Sequence, residues 1–153
     1  MLSDNVKTTF LAFTTATVFL VTGQSHAEQL PNQGQGVRYE AEDADMSPNT
    51  FVKGGMLNAL NRDGASCVFT VDGGKGGVYF LTIGYATELP EAIIQMVVNG
   101  EAQTLKLAGT GSWVETATHE MTVELKSGSE NQIAFESKGH GVNLDYVELK
   151  PEK

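Results

Sequence analysis

The sequence is short of the residues on which disulfide-stapled proteins and nucleic-acid-binding proteins depend. Its 10 Lys and Arg are outnumbered by 19 Asp and Glu, which gives a formal net charge of −9 at pH 7. This balance argues against binding to nucleic acid or to an anionic membrane surface, because both attract cationic proteins. The single cysteine, Cys67, excludes an intrachain disulfide. It lies in a strand-like segment, where cysteine usually acts as a small apolar residue, so a catalytic thiol is not predicted.

Long apolar runs are also scarce, and the one near the N-terminus is interrupted. Residues 9–21 are apolar apart from threonines, and this run is too short to span a bilayer as a stable helix. Lys7 precedes it, and Ser25-His26-Ala27 closes it with small residues at the two positions that a signal peptidase reads. We therefore predict a secretory signal peptide over residues 1–27, cleaved before Glu28, and an extracellular or periplasmic protein. An uncleaved membrane anchor is the alternative.

Helix signals are missing as well, because no segment combines a sustained helical period with end caps. Strand signals recur instead at intervals of about 8 to 12 residues, separated by glycine turns. They predict an all-β domain over residues 37–151, a two-sheet β-sandwich, after a flexible lead-in over residues 28–36. The predicted strands cover residues 37–42, 66–71, 77–86, 91–98, 101–108, 119–125, 131–136 and 142–150. Asn99-Gly100 is a strong signal for a two-residue hairpin turn between two of them.

Two features of the strand pattern predict where the surfaces lie. The strands at 77–86 and 91–98 carry apolar residues in both phases, which predicts that both of their faces are largely covered. Residues 47–64 are the least regular stretch and predict a long polar loop. Such a loop on a rigid β scaffold is where a binding site usually lies.

Acidic residues mark both ends of the predicted domain. Glu40 and Glu42 are two residues apart in the first predicted strand, so both would point to the same face. Asp145 lies in the last predicted strand. If the first and last strands pair, the three carboxylates converge and form an oxygen-ligand site for a hard cation such as calcium. The alternative is that Glu40 and Glu42 are solvated strand charges.

Short motifs follow one another along nearly all of the predicted domain. They are Tyr39-Glu40-Ala41-Glu42-Asp43, Gly54-Gly55, Val68-Phe69-Thr70-Val71, Gly77-Val78-Tyr79-Phe80-Leu81, Val98-Asn99-Gly100, Gly109-Thr110-Gly111-Ser112-Trp113, Val123-Glu124-Leu125, Asn131-Gln132-Ile133 and Asn143-Leu144-Asp145-Tyr146-Val147. In this order they resemble carbohydrate-binding modules of families 6 and 35. Those modules are galactose-binding-like domains with jelly-roll topology, usually attached to secreted glycan-degrading enzymes.

The resemblance implies roles for particular residues. Glu40, Glu42 and Asp145 would hold a structural calcium ion, with backbone carbonyls completing the shell. Trp113 would stack on a sugar ring in the loops at one end of the sandwich, and Asn143 would bond sugar hydroxyls. An indole suits the C–H-rich face of a pyranose, and a side-chain amide offers both a donor and an acceptor. Core filling is the alternative for Trp113, and a plain strand-entry role is the alternative for Asn143.

The sequence departs from the family pattern where a second aromatic residue often faces the first. That region reads Met56-Leu57-Asn58, and the aromatics often found near Ser66 and at the position of Thr116 are also missing. The sequence therefore predicts a one-sided aromatic platform. Candidates for polar contacts in the adjoining loop are Asn58, Asn61, Arg62 and Asp63. Among these, Arg62 would suit the carboxylate of a uronic acid.

The function predicted from these observations is a secreted, non-catalytic carbohydrate-binding module with a glycan ligand and neither a nucleic-acid nor a membrane partner. The resemblance also implies a partnership with a glycan-degrading enzyme complex. One alternative is a small secreted glycoside hydrolase or lyase. Against it, calcium holds its carboxylates ionised, whereas the general acid of a glycosidase must be protonated. The other alternative is a protein-interaction or adhesion β-sandwich, for which the sequence has no positive feature.

Overall fold

The structure is a computed structural model that describes residues 35–153. The predicted signal peptide at residues 1–27 and most of the predicted lead-in, residues 28–34, lie outside the described residues. The described chain forms strands and one 3₁₀ turn, Ala41–Asp43. The strands are β1 Val37–Glu40, β2 Asp45–Met46, β3 Phe51–Lys53, β4 Met56–Asn58, β5 Ser66–Val71, β6 Gly77–Thr87, β7 Glu91–Val98, β8 Glu101–Ala108, β9 Ser112–Leu125, β10 Asn131–Ser137 and β11 Asn143–Pro151.

The strands form two antiparallel sheets, which confirms the predicted all-β sandwich with jelly-roll topology. The first sheet has the order β3-β4-β11-β6-β9, and β1 pairs with β11 as well. The second sheet has the order β2-β5-β10-β7-β8. The chain crosses between the sheets directly after β1, through the 3₁₀ turn, to reach β2. The predicted pairing of the first and last strands is therefore present.

The core lies between the sheets and is filled by alternate residues of each strand. On β6 the side chains of Tyr79, Leu81, Ile83 and Tyr85 are buried, as period-two alternation requires. The outer face of the same strand is open over its first half, where Val78 and Phe80 are 41% and 47% exposed. Farther along, Gly84 and Ala86 are buried, and the Tyr146 ring lies over Gly84. The expectation that both faces of this strand are largely covered is therefore wrong for its first half.

Several elements differ from the sequence prediction. The irregular stretch 47–64 contains a hairpin, β3–β4, whose two-residue turn Gly54-Gly55 has φ values of +64° and +78°. Both central residues of such a turn need positive φ, which glycine adopts freely. The strand predicted at 119–125 begins at Ser112, and the first strand ends at Glu40. The predicted Asn99-Gly100 turn is confirmed, since it joins β7 and β8 with positive φ at both residues.

Cys67 is fully buried in β5. Burial raises the pKa of its thiol to about 12, because a thiolate would lose its hydration there. The thiolate is the nucleophilic form of cysteine. The structure therefore supports the prediction that Cys67 is a core residue.

Among residues 35–153, no helix has the length and apolar character needed to cross a membrane.

Candidate functional site

One end of the sandwich, which we call the loop end, brings together the connections 88–90, 109–111 and 138–142. β6 ends at Thr87 and β9 begins at Ser112, and these two residues pair across the first sheet. β10 ends at Ser137, and the short connection 138–142 leads from there to Asn143, the first residue of β11. Antiparallel pairing places all of these strand ends on the same side of the fold.

Trp113 lies at the loop end in a bulge of the edge strand β9. The register places Tyr85 opposite Ala117 and Thr87 opposite Ser112, so residues 113–116 face a single residue of β6. A bulge interrupts pairing and re-aims the side chains that it carries. Trp113 is half-buried and lies outside the hydrophobic core. Val114 beside it is 72% exposed, so the bulge presents apolar surface to solvent.

The indole of Trp113 rests against the backbone of Gly141. A Cβ atom added to Gly141 would lie 2.5 Å from Cη2 and 3.0 Å from Cζ3 of the ring. Real Cβ atoms essentially never come so close to a neighbouring atom, so any larger residue would displace the ring. The six-membered part of the indole can therefore lie in this place only because position 141 has no side chain.

Asn143 holds the main chain of Trp113. Its Nδ2 donates a hydrogen bond of 2.8 Å to the carbonyl oxygen of Trp113, and the residue is only 6% exposed. The structure thus brings together the two predicted sugar-site residues. It also gives Asn143 a positioning task, because one of its two amide hydrogens is used within the protein.

Two threonines that sequence reasoning missed tie the loops of this end together. The buried Thr87 hydroxyl donates to the carbonyl oxygen of Gly141 at 2.6 Å. The Thr110 amide donates to the carbonyl oxygen of Thr87 at 3.0 Å, and the Thr110 hydroxyl accepts from the Thr87 amide at 3.1 Å. The loop 109–111, which precedes Trp113, and the loop 138–142, which contains Gly141, are therefore both anchored to the end of β6. The threonine between two glycines in Gly109-Thr110-Gly111 was the available signal.

The other predicted ligand residues, Asn58 and Arg62, bond within their own loops. Leu57 pairs with Leu144 in antiparallel register, so Asn58 extends toward the loop end. Its Nδ2 donates to the carbonyl oxygen of Met56 at 2.7 Å. Nη1 of the exposed Arg62 donates to the carbonyl oxygen of Asn49 at 3.2 Å. No hydrogen bond of residues 35–153 links either of them to Trp113 or Asn143.

One buried polar atom in the described part of the chain has no hydrogen-bond partner, and it lies beside this site. It is Nδ1 of His140, the residue before Gly141. Buried polar atoms are nearly always paired, so an orphan next to a candidate ligand site is a feature to explain. His140 could not be placed here from the sequence, because the position of its side chain depends on how the 138–142 connection folds.

The predicted metal residues lie at a different place, where the chain crosses from β1 to β2. Glu40 ends β1, and Glu42 lies in the 3₁₀ turn Ala41–Asp43. The expectation that Glu40 and Glu42 share one face of a strand is therefore wrong, because the crossover begins between them. Oε1 of Glu42 instead lies near the β3–β4 turn, 4.0 Å from where a Cβ of Gly55 would be.

Asp145 reaches the same place from β11. The β6–β11 register shifts between Leu144 and Tyr146, so Asp145 is the extra residue of a bulge. Its side chain is 25% exposed. Partial burial raises the pKa of Asp145, the charge of Arg38 lowers that pKa, and the charges of Glu40 and Glu42 raise it further. Glu40 and Glu42 therefore both act on Asp145 electrostatically, although only two of the three carboxylates come from strands.

Arg38 already binds two of the three predicted metal ligands. Its Nε and Nη2 donate to the two oxygens of Glu40 at 2.8 and 3.0 Å, and Nη2 also lies 3.8 Å from Oδ2 of Asp145. Within residues 35–153, no three acidic, histidine or cysteine side chains are grouped so that they could hold a metal as they stand. The oxygen donors suit a hard cation, but Glu40 is turned toward Arg38.

The comparison that decides the family is a match over most of the chain. A family model described as "Carbohydrate binding module (family 35)" matches residues 32–152. The chain belongs to carbohydrate-binding module family 35. Of the two families that the sequence resembles, families 6 and 35, the match therefore selects family 35. No curated protein sequence matches the module.

Solved structures share the fold of the module. A family 35 carbohydrate binding module from Clostridium thermocellum is 25% identical at a TM-score of 0.68, with 75% of this chain and 97% of that one covered. The Podospora anserina GH26-CBM35 β-(1,4)-mannanase is 21% identical at a TM-score of 0.68, with coverage of 80% and 28%. The cycloalternan-forming enzyme from Listeria monocytogenes is 24% identical at a TM-score of 0.66, with coverage of 75% and 12%. The module therefore spans only a small part of these two enzymes.

Two surface depressions of the module lie away from Trp113. One, of about 350 Å³, lies along β1, β2 and β5 between Arg38 and Thr70. The other, of about 530 Å³, lies on the outer face of the first sheet around Phe80 and Glu148. Size alone therefore does not select the ligand site, and the loop end is chosen for the chemistry of its indole.

Proposed function

We propose that this family 35 module is a secreted, non-catalytic binder whose glycan ligand stacks on Trp113 at the loop end. The observation that supports this most is an indole that lies outside the core, with its ring against Gly141 and the main chain of its residue bonded by Asn143. A flat, polarisable ring fixed at a surface suits the C–H face of a sugar. The remaining amide hydrogen and the carbonyl oxygen of Asn143 are the groups it can offer to hydroxyls.

Polar selectivity would come from the neighbouring loop. Arg62 is exposed, and its guanidinium can bind a carboxylate through two parallel hydrogen bonds. Asn58 extends toward the same end of the fold. We propose that these residues contact the parts of the glycan that lie beyond the stacked ring, and that acidic glycans are favoured where Arg62 takes part.

A glycan array with neutral and uronic-acid-containing polysaccharides tests the proposed binding function. One aromatic platform without a second ring opposite implies a Kd between about 10 μM and 1 mM, or roughly −7 to −4 kcal/mol. We expect binding in this range without release of new reducing ends. Cleavage of a bound polysaccharide would support the hydrolase or lyase alternative. A protein with no glycan ligand at millimolar concentrations would contradict the proposal.

We also propose that the protein is exported and that the mature chain begins at Glu28. The support is the apolar run 9–21 followed by Ser25-His26-Ala27. Intact-mass analysis of protein recovered from the extracellular or periplasmic fraction should give the mass of residues 28–153. A retained Met1 would show that the segment acts as an uncleaved anchor.

Calcium is the cofactor that we propose for the crossover. Glu40, Glu42 and Asp145 would hold the ion, with backbone carbonyls, the Gly54-Gly55 turn among them, as further oxygen ligands. The support is the charge effect of Glu40 and Glu42 on Asp145 and the position of Glu42 beside that turn. The ion would neutralise the three carboxylates and tie the crossover to the first sheet. A glycan-degrading enzyme is the partner that we propose, since the fold of this module also occurs within a larger chain of that kind, the Podospora anserina GH26-CBM35 β-(1,4)-mannanase.

A further inference from the structure

We infer that Arg38 is a built-in cation that competes with calcium for Glu40 and Asp145 and so sets the calcium affinity of the module. The inference rests on the proposed calcium site. In a site prepared for calcium, the carboxylates would face a common position for the ion. Here the guanidinium of Arg38 lies between two of the three expected ligands, Glu40 and Asp145.

The first observation is the place of the guanidinium. Nη2 of Arg38 lies 3.0 Å from Oε2 of Glu40 and 3.8 Å from Oδ2 of Asp145, so one nitrogen bridges the first and last strands. Both oxygens of Glu40 are engaged, because Nε takes the other one at 2.8 Å. Calcium ligands lie about 2.3 to 2.6 Å from the ion, so an ion bound by Glu40 would lie close to the guanidinium, and the two positive charges would compete for the same carboxylate.

The second observation is that Arg38 has a fixed support of its own. Its guanidinium carbon lies 3.5 Å from the centre of the Tyr146 ring, a cation–π contact. That ring in turn lies on Gly84, where any Cβ would overlap it. Arg38 therefore has a support besides Glu40, and it is not a side chain that meets Glu40 by chance.

The competition should be measurable but modest. The side chains of Arg38 and Glu40 are 43% and 39% exposed, so solvent weakens their attraction. Pairs of this kind are worth up to about 1 kcal/mol, which corresponds to a factor of about five in a binding constant. Loss of Arg38 should therefore tighten calcium binding about fivefold. The same loss should destabilise the calcium-free protein, because three carboxylates then repel one another without a counter-charge.

The test is calcium titration by calorimetry and thermal melting of the wild type and Arg38→Gln, each in chelator and in saturating calcium. We expect Arg38→Gln to bind calcium about fivefold more tightly, to melt lower than the wild type in chelator, and to melt level with it in calcium. A purely structural role for Arg38 would lower the melting temperature in both conditions. Arg38→Lys, which keeps the charge but not the two-pronged geometry, should have an intermediate calcium affinity.

Lys150→Gln is the matched control, because it removes one positive charge from the same sheet. Lys150 is five residues beyond Asp145 on β11, about 17 Å along the strand, which exceeds the screening length of about 10 Å at 0.1 M salt. The calcium affinity of the Lys150→Gln variant should equal that of the wild type.

The outcomes separate the inference from the calcium proposal. If the wild type and Arg38→Gln bind calcium equally, Arg38 does not compete, although the calcium site stands. If neither binds calcium, the calcium proposal fails and this inference fails with it. Binding by Arg38→Gln alone would support the competition in its strongest form, with Arg38 taking the place of the ion.

Discussion

Replacing Trp113 with alanine is expected to weaken glycan binding about thirtyfold or more while the β-sandwich stays folded. Trp113 is the only tryptophan of the chain, and at the loop end it is the aromatic surface available for stacking. Removing a central aromatic anchor typically costs about 2 kcal/mol or more, which is a loss of about thirtyfold in affinity. From a starting Kd of about 10 μM to 1 mM, such a loss gives a Kd of about 0.3 to 30 mM, which is beyond the limit of detection for all but the tightest starting values.

The fold should survive this change because Trp113 takes little part in the core. It lies in the β9 bulge, where residues 113–116 are not paired in regular register with β6. The Trp113→Ala variant should keep its β-rich circular dichroism and its calcium response. If it unfolds instead, the indole is needed for stability and the assigned site is wrong.

Phe80→Ala is the matched control for the loss of an aromatic side chain. Phe80 is 47% exposed on the outer face of the first sheet and lines the larger depression. The Phe80→Ala variant should bind glycan with the affinity of the wild type. If Phe80→Ala loses binding while Trp113→Ala keeps it, the ligand lies on the sheet face and not at the loop end.

Gly141→Ala tests the position of the ring without removing it. The new methyl group would overlap Cη2 of Trp113, so the indole must move away from the place where the ligand would meet it. We expect at least a tenfold weaker glycan affinity together with a changed tryptophan fluorescence spectrum. A spectrum and an affinity equal to those of the wild type would show that the ring is not held by residue 141.

The sequence predicted those parts of the fold that depend on local patterns. Short apolar runs bounded by turn residues located the central strands. Asn99-Gly100 located a hairpin, because few residues accept the positive φ that both central positions of such a turn need. The β3–β4 hairpin carried a similar signal in Gly54-Gly55. It was missed because its strands have three residues each, which is too short for alternation to show.

The candidate site was predicted less completely, because its arrangement depends on contacts between distant segments. Trp113 and Asn143 are thirty residues apart in the sequence and are joined by a hydrogen bond. The order of the motifs was enough to predict both as site residues. The support from Thr87 and Gly141 could not be predicted, since it depends on where the 138–142 connection passes. Glu42 was placed on a strand because the sequence pattern does not show where a crossover interrupts alternation.

Chelation of calcium is expected to lower the melting temperature of the wild-type module by about 10 °C relative to saturating calcium. A ligand at a hundred times its Kd stabilises a folded protein by about 2.7 kcal/mol, and a domain of this size shifts by about 3 to 5 °C per kcal/mol. The measurement is a thermal melt in chelator and in excess calcium. A melting temperature that is indifferent to added calcium and to chelator would argue against an exchangeable ion.

Asp145→Asn should abolish that calcium response and yet raise the melting temperature in chelator. The raised pKa of Asp145 means that its charged form is less favourable in the folded protein than in the unfolded chain. At neutral pH this carboxylate therefore costs stability when no metal neutralises it, and the isosteric amide removes the cost. As the pH falls through the raised folded-state pKa toward the unfolded value of about 3.9, Asp145 takes up a proton and the wild type should reach the stability of the variant. If Asp145→Asn is instead less stable than the wild type in chelator at neutral pH, the ion pair with Arg38 outweighs the cost of burial. A variant that still responds to calcium would exclude Asp145 as a ligand.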